Sequence, residues 1–197
     1  MKSRHLNSSE IAILSAVCRS KEWLPLEVAS VTGLRIGDVL KIKKKDLNYD
    51  DMCIDYTAEK TGKQGKAYIS RSLMGRLQRN AGKGAEAYVF PSPTRKGKHL
   101  TRQTAWYRIK RACHRAGISP DGVSPHSLRK VFAVEIYKKY GIAEVKRQLQ
   151  HSTIDVTEIY ALSDFLSGEN EDLPLLRKDI ARVCRIVENF IRDKKRG

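Results

Sequence analysis

Between Met52 and Ser70 the apolar residues of this chain alternate, whereas almost everywhere else they recur at helical spacing. Cys53-Ile-Asp-Tyr56 and Ala67-Tyr-Ile-Ser70 each fit a half-buried strand, and the polar, glycine-containing Glu59-Lys-Thr-Gly-Lys-Gln-Gly65 between them fits a turn. Side chains repeat every two residues along a strand and every 3.6 along a helix, so neither pattern serves the other element. Both textures in one chain predict a mostly helical α+β fold with one small antiparallel β-hairpin or sheet.

The helical segments announce their own ends. Asn7-Ser-Ser-Glu10 reads as a capping box, opening a helix that buries Ile11, Leu14, Val17 and Cys18. A second helix is expected from about Leu24 to Val31, broken at Thr32-Gly33, and a third from Arg35 to about Ile42. A start at Arg35 turns its side chain back toward the preceding turn, where backbone N–H groups also meet anions. A short helix near 73–79 precedes the glycine-rich segment 81–85, and Tyr88-Val-Phe90 fits a brief extended stretch. Thr101 to Ala116 forms the next helix, with Trp106, Ile109 and Cys113 assigned to its apolar face. Pro125 opens another that stops at Gly141. Segments 142–149 and 154–162 fit short helices, and 173–191 an amphipathic one whose stripe runs from Leu176 to Ile191.

Charge narrows the partner. Thirty-eight Lys and Arg against 22 Asp and Glu give a formal charge of +16. Each cation that neutralises a phosphate releases a condensed counterion, so the excess favours a nucleic acid. No stretch approaches the ~20 apolar residues of a membrane span, and the basic start leads into an amphipathic segment, unlike a secretory signal. A cytoplasmic protein without a membrane partner is expected. Cys18, Cys53, Cys113 and Cys184 lie far apart with no Cys-x-x-Cys pairing. They fit small apolar fillers, and neither a disulfide framework nor a zinc site.

Three motifs carry chemistry: Arg35-Ile-Gly-Asp38, His126-Ser-Leu-Arg129, and Leu149-Gln-His151 followed nine residues later by Tyr160. Attack of an oxygen nucleophile on a phosphodiester builds negative charge on the non-bridging oxygens. A guanidinium meets two of those oxygens with a planar fork and stays charged, which makes Arg35 and Arg129 candidates for a phosphate clamp. His126 and Arg129, at i and i+3, share a helix face. A phenol has a pKa near ~10, so Tyr160 needs such cations to attack as the phenolate.

In its order and spacing this set resembles the catalytic domain of the tyrosine recombinases (phage integrases), from the first helix to just past Tyr160. The resemblance implies that family's catalytic-domain fold over residues 1–170, followed by a C-terminal amphipathic helix over 171–197 that docks on its own core or on a neighbouring subunit. It also implies roles. Asp38 braces Arg35, His126 bonds the scissile phosphate or assists proton transfer, and His151 donates to the phosphate. Tyr160 attacks phosphorus to form a 3′-phosphotyrosyl link. A lysine in the hairpin turn protonates the leaving 5′-oxygen, and Lys60 matches best. The turn is about two residues longer than in related sequences, which keeps Lys63 and Lys66 as rivals. Gln150 stands where the family has glycine. Lys63, Arg102 and Gln103 are expected at DNA from their positions.

No metal, ATP or other cofactor is implied, since the phosphotyrosyl link itself conserves the energy for resealing. The implied partners are double-stranded DNA, further copies of the chain in a tetramer, and accessory DNA-bending proteins. The chain starts almost directly at the catalytic domain, so an N-terminal core-binding domain is expected to be missing. The implied activity is site-specific recombination by integration, excision or inversion. A type IB-like topoisomerase or a non-catalytic DNA-binding protein would share parts of the pattern.

Overall fold

The computed structural model describes residues 3–149. They form two compact units, one of residues 3–39 with 102–149 and the other of residues 40–101.

The first unit is helical. Helix α1, Ser8–Val17, opens at Asn7, whose side chain accepts the Glu10 N–H at 2.8 Å while the Glu10 carboxylate accepts the Asn7 N–H at 3.0 Å. This is the capping box expected from the sequence. Helix α2, Ser20–Thr32, is the core of the unit, buried without a break from Trp23 to Thr32. It starts four residues earlier than expected. Pro25 lies inside the helix and lacks the N–H that would bond the Lys21 carbonyl one turn back. Here the Arg108 guanidinium donates to that carbonyl at 3.5 Å. Helices α5 (Arg102–Ala116) and α6 (Pro125–Gln148) both pack on α2, and α1 packs on α5.

Helix α5 corrects one expectation. Its buried stripe is Ala105, Ile109, Ala112 and Cys113, while Trp106 is 42% exposed. Trp106 sits one position off the stripe, its ring 5.1 Å from the Lys110 ammonium and edge-on to Tyr107 at 5.2 Å. Helix α6 is interrupted where Gly141 adopts φ 75°, ψ −179°, in accord with the expected stop.

Gly33 ends α2 in the left-handed region at φ 67°, its N–H bonded to the Ala29 carbonyl. A Cβ there would lie 2.3 Å from Cδ1 of Phe132 and 3.0 Å from Cδ2 of Leu149. Two penalties therefore act on Gly33→Ala: about 1–2 kcal/mol for the left-handed backbone and about 1–3 kcal/mol for overpacking. Denaturant unfolding is expected to show a loss of about 2–5 kcal/mol, whereas a substitution that leaves the midpoint unmoved would contradict this packing.

The chain enters the second unit within α3, Ile36–Lys41. A three-stranded antiparallel sheet follows, in the order β1 (Leu47–Asn48), β2 (Cys53–Thr57), β3 (Gln64–Tyr68). Strands β2 and β3 pair from Cys53↔Tyr68 to Thr57↔Gln64, as the alternation predicts. Strand β1, at two residues, is too short to show a period. Helix α4, Arg71–Asn80, is capped by Ser70 and buries Leu73, Met74 and Leu77. The expected extended segment also forms, with Tyr88 bridging Lys43 and the Val89 N–H bonding the Ile42 carbonyl at 2.8 Å. Cys53 and Cys113 are buried and Cys18 is half-buried, all three as free thiols. Cys184 and the helices expected over 154–162 and 173–191 lie outside the described residues.

Candidate active site

Arg35 lies in the turn between α2 and α3, two residues past the Gly33 cap. Its carbonyl starts α3 by accepting the Asp38 N–H at 2.9 Å and the Val39 N–H at 3.0 Å. Arg35 is half-buried and Asp38 is buried in the first turn of the helix.

Helix α6 presents the second motif. Ser124 caps it by accepting the His126 N–H at 3.2 Å, the Ser127 hydroxyl accepts the Ser124 N–H in return, and Pro125 occupies the first turn. Proline costs nothing there, because the first N–H groups of a helix have no partner within it. His126 is exposed in this turn. Arg129, one turn on, is only 3% exposed.

The bonds of Arg129 organise this part of the first unit. Its Nη1 donates to the Gly33 carbonyl and its Nη2 to the Leu149 carbonyl, the latter at 3.1 Å. One guanidinium thus ties the turn that carries Arg35, the helix that carries His126, and the peptide two residues before His151. Two of its five N–H donors are used in doing so. The next residue, Lys130, is buried and donates to the Ser3 carbonyl, which fastens α6 to the start of the described chain.

The second unit carries the hairpin lysines. The turn over residues 58–63 is built on Ala58, whose carbonyl accepts the N–H groups of Thr61 and Gly62 and whose N–H donates to the Lys63 carbonyl at 2.8 Å. Gly62 has φ +66°, the left-handed conformation that closes the turn. Glu59 pairs with Lys41 at 2.7 Å. Lys60 and Lys63 are exposed in the turn, whereas Lys66 belongs to β3 and pairs with Asp51 at 2.5 Å. The hydrogen bond it donates to the Asp51 carboxylate holds the Lys66 ammonium's pKa above its usual value. Arg102 and Gln103 are exposed in the first turn of α5. The structure therefore brings Arg35, Asp38, His126 and Arg129 into one unit and sets Lys60 on the other unit's hairpin. His151 and Tyr160 lie outside the described residues.

Sequence reasoning missed Gly33. The Thr32-Gly33 break signalled a helix end, but nothing in it showed that the glycine carbonyl would hold Arg129. The family pattern gave the order of the motifs without the bonds that join them.

The profile of the Phage integrase family matches residues 5–166. The chain belongs to this family. Among its relatives is the tyrosine recombinase XerD of Vibrio vulnificus, 30% identical over 145 residues, or 68% of this chain and 46% of that protein. The XerC of Xanthomonas axonopodis pv. citri is 32% identical over 144 residues, 71% of this chain and 46% of that protein. Alignment with the XerA of Pyrococcus horikoshii gives 26% identity over 152 residues, 75% of this chain and 52% of that protein. This integrase-family chain therefore spans about half the length of the curated relatives it matches.

Solved structures match its mostly helical α+β fold with the small antiparallel sheet. The crystal structure of XerA recombinase superposes with a TM-score of 0.67 at 21% identity, covering 88% of this chain and 68% of that one. A lambda integrase from a tetramer bound to a Holliday junction gives a TM-score of 0.67 at 20% identity, covering 89% of this chain and 52% of that one. At these identities the likeness is one of fold.

Proposed function

We propose that this chain is the catalytic domain of a site-specific DNA recombinase that cuts and rejoins DNA through a 3′-phosphotyrosyl intermediate. The observation that carries the proposal is the bracket made by Arg129. It joins the Arg35 turn to the His126 helix and also holds the carbonyl of Leu149, the residue that opens the third motif.

In this reading Arg35 and Arg129 hold the non-bridging oxygens of the scissile phosphate, with His126 and His151 as further donors. Asp38, buried beside the Arg35 turn, braces it. The Tyr160 phenolate attacks phosphorus and the bond to the 5′-oxygen breaks. Lys60 gives that oxygen its proton, releasing a 5′-hydroxyl. In rejoining, the 5′-hydroxyl of a partner strand attacks the phosphotyrosine, returns a proton to Lys60 and restores Tyr160. Both steps conserve the phosphodiester's energy.

Exposure of Lys60 in the turn, against the Asp51-bound position of Lys66, supports Lys60 as the acid. The Lys63 side chain, with Gln103 on α5, is assigned to DNA. The substrate is double-stranded DNA, and the tetramer seen for lambda integrase on a Holliday junction supports the same assembly here. Docking of residues 171–197 on a neighbouring subunit, accessory DNA-bending proteins and a cytoplasmic, nucleoid setting complete the proposal.

Lys60→Ala is expected to slow cleavage of ordinary DNA by about 100- to 10,000-fold, the usual contribution of a general acid. A sulfur in place of the bridging 5′-oxygen leaves without needing that proton, so such a substrate should be cleaved by Lys60→Ala at nearly the wild-type rate. Rescue of Lys63→Ala instead would transfer the role to Lys63.

A further inference from the structure

Gly37 lies inside α3, between Arg35 and Asp38. A Cβ on it would fall 2.5 Å from Nε and Nη2 of Arg102 and 2.8 Å from its Cζ. The Arg102 guanidinium therefore occupies the space that any side chain at position 37 would need. The only residue type that leaves this space open is glycine, which inside a helix costs about 1 kcal/mol relative to alanine. The pairing places a second guanidinium on the Arg35–Asp38 turn, from a helix 65 positions further along the chain.

Arg102 and Gln103 stand together in the sequence, and position alone assigns both to DNA. The structure separates them. An arginine that reads a base extends its fork into a groove, whereas this one is folded back onto the backbone of α3. We infer that Arg102 binds a DNA phosphate beside the one held by Arg35, that Gly37 supplies the room for it there, and that Arg102 does not read bases. The inference rests on the proposed function, since it presumes DNA at the Arg35 turn. Chemically it follows from the match between a guanidinium fork and phosphate oxygens. It also distributes roles along one helix, with phosphate contact at Arg102 and groove contact at Gln103.

A labelled DNA duplex of mixed sequence tests this without knowledge of the natural site. Non-specific affinity is carried by phosphate contacts, and each one lost lowers the slope of log K against log salt by about 0.9. Arg102→Ala in the full chain is expected to lower the slope by about 0.9, and Arg102→Lys, which keeps the charge, to retain most of it. Gly37→Ala should not lower the thermal midpoint, because alanine favours the helix and the displaced group is the end of a flexible side chain, and should lower the slope as Arg102→Ala does. Adding Gly37→Ala to Arg102→Ala should lower it no further.

An unchanged slope in Arg102→Ala overturns the inference, as does a Gly37→Ala protein that binds like the wild type. A further loss in the double variant would show that Gly37 acts otherwise than through Arg102, and would overturn it too. The failure of the wild type itself to bind the duplex in a salt-dependent way is a different result, and it contradicts the recombinase proposal.

Discussion

Tyr160→Phe is expected to abolish the covalent DNA adduct and to leave DNA binding within the wild-type range. The substitution removes one oxygen, the atom proposed to bond to phosphorus, and retains the ring. A phenyl ring has no nucleophile to offer, so the expected effect is complete loss of adduct and not a slowed rate. Binding should survive because the substitution leaves the chain's formal charge of +16, which favours a polyanionic partner, unchanged. A nicked suicide substrate gives the readout, since it traps any adduct by letting the cut strand diffuse away. Adduct formation by Tyr160→Phe would remove Tyr160 from the mechanism, and equal loss of binding would point to a structural role.

Arg129→Ala combines two losses that most catalytic substitutions keep apart. The Gly33 and Leu149 carbonyls both lose a charged donor, in a place where the arginine is 3% exposed. Hydrogen bonds to charged groups contribute about 1.5–3 kcal/mol each, so a loss of about 3 kcal/mol or more is expected in denaturant unfolding. Cleavage should fall as well, by about 100- to 1,000-fold for one lost transition-state donor. Arg129→Lys should recover only part of either, because one ammonium cannot span two carbonyls as the guanidinium does. His126→Ala provides the contrast. His126 is exposed, so its loss should slow cleavage while shifting stability by no more than about 0.5 kcal/mol. If Arg129→Ala unfolds like the wild type, the bracket does not hold the site together.

How much of this could be read from the chain depended on the range of the interaction. The Asn7–Glu10 capping box, the Gly141 break and the β2–β3 pairing are local, set by residues no more than 15 positions apart, and all appear where the sequence placed them. The start of α2 at Ser20 was not legible, since Arg108 meets the Lys21 carbonyl there and no local pattern announces its arrival. Trp106 misled for a related reason. Helical spacing put it near the apolar stripe, but the space there is filled by the small residues Ala105 and Ala112, and a cation and a tyrosine cover the indole outside. The order of the site motifs was legible because the chemistry fixes residue types. The Arg129 bond to Gly33 and the Gly37–Arg102 fit were not, since each joins residues more than 60 positions apart through a backbone atom or an empty space.

The most direct test of the account is to identify the residue that carries the DNA. The full chain would be incubated in EDTA with nicked substrates drawn from DNA flanking its gene, and the linked peptide recovered by proteolysis and sequenced by mass spectrometry. A 3′-phosphate joined to the Tyr160 oxygen is the predicted result. Attachment through any other residue, or duplex binding on these substrates with no covalent product, would contradict it.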